Sequence, residues 1–462
     1  MRIDSFSLRG LWLALLLGAA PGLAAQAPHA KVGADVDTAL ATASQVRVLV
    51  MFAPPAKRVG ETDAEHAEKI ATLRGMVLGK TGAADVRLRR SFVHVPGFAA
   101  EVTRAGLDAL RNDPHVTRID IDAGGHGDMA QAAVLSRVSD VFALGLSGAG
   151  AKVAVIDSGI DRTHPDFSGR IVAEQCFCSG MAGSAGCCPN LLDTQAGAGA
   201  AQDDHGHGTN VAGIFAGGGA VAARGAASSA EIVALKVLDE NNSFCCSSDV
   251  VAALDWVRVN HPDTTVVNAS LGTAALFADA CDTSTGFTQA LAVAVDNLVA
   301  NGTQVFVSSG NQRSATSIAA PACVASATAV GAVYDSAQGD TFYNFFGCGD
   351  NATVPDLPTC FTNSNARVDL YAPGASTTSS GLGGGTSTFT GTSQASPLAA
   401  GCAAVLRAHV PGASAQAVEA ALKASPVRVI DPKNGLEFPR LDCLDALLRL
   451  DADLFADGFE SP

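Results

Sequence analysis

From about residue 151 to residue 450 the chain alternates two kinds of segment. "KVAVID", "SAEIVALKVL", "TTVVNASL", "TQVFVSSGN", "ATAVGAV" and "RVDLYAPG" are short apolar runs, and "SDVVAALDWVRVN" and "TGFTQALAVAVDNLVAN" carry helical spacing. A strand without polar alternation needs cover on both faces. Strands of that kind interleaved with helices predict an α/β fold with a mostly parallel sheet between two helical layers. Right-handed crossovers then gather the strand carboxyl ends on one side, where sites form. Hydrophobic residues make up 48% and charged residues 16%, well below the roughly 25% charged of ordinary domains, as a core rich in small residues requires. Residues 176–201 and roughly 347–366 break the rhythm as inserts.

The amino-terminal part follows other rules. Arg2 and Arg9 flank a polar start, residues 11–20 are apolar, and small residues follow. That is the pattern of a secretory signal peptide, expected at residues 1–25. Residues 44–123 read as strand, helix, strand, strand, helix, strand, a small ferredoxin-like α+β unit. "VRVLVMF" is its first strand, and Ile70, Leu73 and Val77 mark a helix expected from Glu61. Residues 124–135, with their glycines, read as a linker and cut site. Residues 136–450 are the main domain, and residues 451–462 an acidic tail.

A net charge of −15 excludes a nucleic-acid partner, because phosphate neutralisation needs clustered Lys and Arg. No later stretch has the 18 apolar residues of a membrane span, so none is expected once the leader is removed. Nothing calls for an oligomer, and a monomer is expected.

Three polar positions stand out because each sits where an α/β sheet leaves its core. Asp157 ends the apolar strand "VAVID", His207 precedes a run of small residues in "HGTNVAGIFAG", and Ser393 opens an apolar helix in "GTSQASPLAAGCAAVLRA". Alone, each has a plain reading: a strand-end Asp or helix-start Ser as a cap, a His as an exposed side chain. Pro397 is expected within the first helical turn or so, where its missing N–H costs least. Asn311, after "VFVSSG", offers an amide to a developing oxyanion.

Together, "VIDSGID", "HGTNVAG", "VVNASLG", "SSGN" and "GTSQASP", in this order, resemble the subtilisin-like serine protease family. The order Asp, His, Ser is that family's own. The resemblance implies a three-layer subtilisin-like fold, with residues 44–123 as an inhibitory propeptide. It also implies acyl transfer, with Ser393 as nucleophile, His207 as base, Asp157 as its orienting partner and Asn311 in the oxyanion hole. Ser270, Leu271 and Gly272, with Ser308, Ser309 and Gly310, would line the pocket for the residue before the cut. The segment "ALKVLDENNS" would lead into the strand that pairs with substrate. Polypeptides are the implied substrates, the propeptide is the chain's own inhibitor, and catalysis requires no cofactor.

The chain departs from the family at Asn210, where a second histidine is usual, at Gln394, where methionine is usual, at residues 398–400, and at Thr273. A silent relative that binds partners through its cysteine-rich insert is the rival reading. An α/β-hydrolase would need GxSxG and the order Ser, Asp, His, and has neither.

All twelve cysteines lie at or after Cys176, which in an exported chain reads as disulfides. CxC and CC spacings do not fit zinc. Adjacent cysteines are expected to take different partners, stapling the insert from Cys176 to Cys188 to the loop of Cys245 and Cys246. Cys348 with Cys360 and Cys281 with Cys323 are further candidate pairs. Family members often hold structural calcium. No calcium loop matches residue by residue, although Asp203 and Asp204 are candidates, otherwise solvated. Small residues beside the pocket suggest an apolar residue before the cut, while Asp203, Asp204, Asp239 and Glu240 would favour basic neighbours, and His205 is expected to be exposed.

Overall fold

The computed structural model describes residues 31–451, apart from residues 54, 59, 92–95, 122–128 and 181–184. The expected leader, the first half of the linker and nearly all of the tail lie outside the described residues. The chain forms two compact units, Met1–Gly125 and His126–Pro462.

In the first unit the strands Val46–Phe52, Val86–Ser91, Gly97–Val102 and Val116–Ile121 form an antiparallel sheet, with the first strand between the third and the fourth. Helices Asp63–Leu78 and Arg104–Asn112 complete the βαββαβ order read from the sequence. The first of these helices starts two residues later than Glu61. Thr62 accepts a hydrogen bond from the Glu65 N–H, and the Glu65 carboxylate accepts one from the Thr62 N–H, closing a capping box. An additional helix, Ala34–Thr42, buries Val36 in the same core as Val48, Val50, Phe98, Leu107 and Leu110.

The second unit is built on an eight-stranded sheet. Its strands run in the order Leu370–Pro373, Thr328–Val333, Gln304–Ser308, Val266–Ala269, Lys152–Asp157, Glu231–Lys236, Ile171–Phe177 and Thr194–Ala196. All neighbours are parallel except the last pair, which is antiparallel. The insert expected at 176–201 therefore belongs to the sheet at both ends. The other insert begins earlier than residue 347, as the hairpin Gly339–Tyr343 with Cys348–Thr353.

Alternate residues of one strand feed two cores, which is why the runs read as uniformly apolar. Val153, Val155, Ile232 and Phe306 pack with Val211, Phe215 and Leu398 on one face. Ala154, Ile156, Val233 and Val307 pack with Leu254, Val257, Leu291 and Val295 on the other. The first core belongs to helices His207–Ala216 and Thr392–His409, the second to Ser247–Asn260 and Gly286–Ala300. Residues expected as the end of the linker form a helix, Met129–Leu135, with Ala132 and Ala133 buried in the first of these cores. Among the described residues, no helix is long and apolar enough to cross a membrane.

All twelve cysteines are paired. The candidates Cys348–Cys360 and Cys281–Cys323 are present. The expected staple between the insert and the Cys245 loop is not. Cys176 joins Cys188, Cys178 joins Cys187, and Cys245 joins its neighbour Cys246. The insert folds back on itself, Cys187 N–H donating to Cys178 O, which brings its own sulfurs together. A sixth bond, Cys402–Cys443, ties the long helix to Cys443–Leu450.

Candidate active site

Asp157 is the last residue of a central strand, and its side chain is fully buried (0% exposed). From that strand the chain returns to pair on one side with Glu231–Lys236 and then on the other with Val266–Ala269. A crevice is expected at such a reversal of direction. Asp157 Oδ1 lies 2.7 Å from His207 Nδ1 and accepts the Ser158 N–H. Burial by itself lowers the basicity of the His207 imidazole. The Asp157 charge and hydrogen bond, helped by the Asp203 charge, outweigh burial and hold its pKa above the ordinary imidazole value.

His207 opens its helix, and what fixes that helix start is Asp203. The Asp203 carboxylate is 5% exposed. Its Oδ1 accepts from Ser158 Oγ, His205 N and Gly206 N, and its Oδ2 from Thr209 N and Thr209 Oγ1. An acceptor at a helix amino terminus satisfies N–H groups that have no partner within the helix. Ser158 Oγ in turn accepts the Gly208 N–H. Gly208 is required there, because a Cβ would run into the Gly159 carbonyl. Asp203 is thus neither solvated nor free to meet a basic substrate residue. Neither candidate fits calcium. Every bond to Asp203 comes from a donor, which turns hydrogens toward the place a cation would take, and Asp204 accepts from Lys236 Nζ at 2.6 Å. Lys236, fully buried at its strand end, spends its other donors on the Ser158 and Leu238 carbonyls.

His205 is half-buried, not exposed, because its Nδ1 accepts the His207 N–H and Phe389 packs beside it. The Phe389 ring also stands edge-on to His207 at 5.7 Å.

Ser393 occupies the first turn of Thr392–His409. Pro397 falls in the second turn, so the Ser393 carbonyl lacks its usual helical donor. Ser270 Oγ supplies one at 2.8 Å, and the Ser393 hydroxyl donates to the Ser270 carbonyl at 3.3 Å. Asn268 steadies this contact, donating from Nδ2 to Ser270 Oγ and accepting at Oδ1 from Ser396 Oγ. Sequence reasoning passed over Asn268. Its signal was a polar side chain inside the buried run "VVNAS", which demands partners.

The Asn311 amide is oriented by Thr392. Its Oδ1 accepts from Thr392 N and Thr392 Oγ1, both at 2.9 Å. A backbone N–H can only donate, so the amide oxygen faces Thr392 and the NH₂ group is turned to the other side. Gly310, at φ +102°, makes this turn, and its N–H donates to Thr392 Oγ1.

Ser393, Asn311, Ser270, Leu271, Gly272, Ser308 and Gly310 line one cleft of about 820 Å³, together with Leu238, Asn242 and Ser243. Ser309 is the exception among the expected pocket residues: it is buried, and its hydroxyl donates to the Asn363 carbonyl. The helices carrying His207 and Ser393 share a core. Two departures from the family pattern bridge them, Gln394 Nε2 donating to Asn210 Oδ1 at 3.3 Å while Asn210 Nδ2 donates to the Ser387 carbonyl at 2.8 Å. Among the described residues, Cys245, Cys246 and Asp249 have atoms close enough to share a metal. The two sulfurs are bonded to each other, and both Asp249 oxygens accept from Ser179.

The sequence is similar to those of known proteases. Residues 148–438 match Peptidase S8, the subtilase family. The chain is 32% identical over 327 residues to alkaline serine protease ver112 of Corniculantispora psalliotae, covering 67% of this chain and 71% of that one. It is 32% identical over 338 residues to the extracellular serine proteinase of Thermus sp. (strain Rt41A), covering 71% and 70% of the two chains. Against subtilisin E of Bacillus subtilis (strain 168) it is 31% identical over 333 residues, covering 70% and 74%. The protein is therefore a serine endopeptidase. It belongs to the subtilase family.

Proposed function

We propose that the chain is an exported endopeptidase made as a precursor: residues 1–25 direct export, residues 44–123 form an inhibitory propeptide, residues 124–135 carry the maturation cut, and residues 136–450 hydrolyse polypeptides. The name of the Thermus relative, an extracellular serine proteinase, supports export. The single observation that carries the catalytic reading is the buried 2.7 Å contact between Asp157 and His207, on a helix bridged to the one that presents Ser393.

With its Nδ1–H donated to Asp157, the His207 imidazole keeps Nε2 as a base. Nε2 takes the Ser393 proton as Oγ adds to the peptide carbonyl, and the buried Asp157 charge stabilises the imidazolium. The carbonyl oxygen, now negative, is held by the Asn311 NH₂ group and the Ser393 N–H, which has no helical partner in the first turn. Collapse releases the amine with the proton from Nε2, leaving an acyl-Ser393 that water hydrolyses by the same relay.

Ser393→Ala tests the reading. The variant should accumulate as uncut precursor, leave casein undigested and lose labelling by an organophosphonate that marks Ser393 in the parent. Processing and digestion that persist in the variant would refute the assignment, and a mature parent that takes no label would favour the silent relative.

A further inference from the structure

The hairpin Gly339–Tyr343 with Cys348–Thr353 lies outside the main sheet and ends at the substrate cleft. It is firmly held. Phe346 packs on Phe361 with ring centroids 4.7 Å apart, and Tyr343 stands edge-on to Phe361 at 5.3 Å. The Cys348–Cys360 bond ties its second strand to the same segment. Asp350 accepts from Tyr334 OH at 2.9 Å and from Cys360 N at 2.8 Å. Arg313, two residues past Asn311, donates from Nη1 to the Gly347 carbonyl at the hairpin tip and from its backbone to the Phe361 carbonyl. It does so at φ +65°, a left-handed backbone that a side chain disfavours and that persists only where its surroundings hold it.

The result is an aromatic ring presented on a rigid support. Phe345 is 93% exposed while its neighbour Phe346 is the anchor, and both line the cleft that contains Ser393 and Asn311. A loose tip would let Phe345 turn inward. This one is clamped on three sides with the ring in water, at the rim of the groove that takes the polypeptide. We propose that Phe345 is a specificity-determining residue: its ring covers an aromatic or branched aliphatic side chain of the substrate, at a position other than the residue before the cut. The occupant is the substrate because the ring's surface is continuous with the cleft. Burying a ring against an apolar partner has the size and geometry to discriminate sequences. This proposal rests on the peptidase reading above.

The test uses the full chain, expressed and matured, with internally quenched decapeptides in which each position around the cut is varied in turn. For the parent, kcat/KM should favour Phe or Leu over Ser at one position away from the residue before the cut. Phe345→Ala should collapse that ratio by about 10- to 100-fold, the range for losing one apolar contact. Phe345→Trp should keep it. Phe342→Ala, on the same hairpin but not lining the cleft, should keep it too. A Phe345→Ala profile equal to the parent's at every position would overturn the proposal, and so would an equal collapse in Phe342→Ala, which would mark a hairpin fold effect. A parent that cleaves none of the peptides would instead refute the peptidase reading.

Discussion

Asp203→Asn changes one oxygen of a buried carboxylate into NH₂ and nothing else in shape. Five donors converge on that carboxylate, three of them backbone N–H groups: His205 and Gly206 at Oδ1, Thr209 at Oδ2. The hydroxyls of Ser158 and Thr209 can rotate to accept from an amide, but the N–H groups cannot. Whichever way the amide sits, at least one backbone N–H is left facing another donor: that of Thr209 if the NH₂ replaces Oδ2, those of His205 and Gly206 if it replaces Oδ1. A buried donor left unpaired costs about 1–3 kcal/mol. Losing the charge at the His207 helix start costs a further ~0.3–1 kcal/mol. The expected loss is about 3 kcal/mol, measured as a fall in the denaturation midpoint of the catalytic unit within the uncut Ser393→Ala precursor, where self-digestion cannot intrude. A second readout is kinetic. The Asp203 charge helps to raise the His207 pKa, and the base must be neutral to act. Its removal should therefore move the acid limb of the kcat/KM profile to lower pH. An unchanged midpoint together with an unchanged acid limb would refute the view that Asp203 builds the His207 site.

The two neighbouring histidines should behave very differently. His207→Ala should cut kcat by at least about 10⁴-fold, whereas His205→Ala should keep most of the activity, and comparable losses in a casein assay would count against this division of roles. Because the His207 pKa is held above its ordinary value of 6.5, the parent's acid limb should lie above that value too, read from the pH dependence of kcat/KM. Asn311→Ala should lower kcat by roughly 10²–10³ with little change in KM, as loss of an oxyanion donor does. Removing Cys402–Cys443, which closes a loop with a sequence separation of 41, should cost up to about 4 kcal/mol by chain entropy. Removing Cys245–Cys246, which spans a separation of 1, should cost almost nothing by that route, and unfolding curves of the two double-serine variants compare them.

The six apolar runs were legible as strands because both faces of each are covered, which makes them uniformly apolar, and because each is too short and too rich in β-branched residues for a buried helix. Their order along the chain already placed Asp157 at a carboxyl edge. His207, Ser393 and Asn311 each stand at the boundary of an apolar element, where a polar residue alone reads as a cap or an exposed side chain, and it was the order of the motifs that carry them, resembling one family, that singled them out. Asp203 was misjudged because an acidic residue in a glycine-rich loop usually faces water. Its burial comes from the return of residues 158–160 beside it, a contact far apart in sequence. Two candidate disulfides are present, but the expected staple between the insert and the Cys245 loop failed for a similar reason. Cys187 and Cys188 do take different partners, but Cys245 and Cys246 take each other, and only the folded path decides which sulfurs meet.

By itself the sequence determined the layering, since hydrophobic periodicity is a local property that each segment carries alone, and it indicated the kind of chemistry through five motifs whose order resembles one family. The tertiary structure alone decided how the site is held: Ser270 answering the carbonyl that Pro397 leaves bare, Thr392 turning the Asn311 amide, Asp203 gathering five donors, the hairpin lifting Phe345 to the cleft. Side-chain hydrogen bonds between distant segments join groups that meet only after the chain has folded, so their partners cannot be read from the spacing of residues along it.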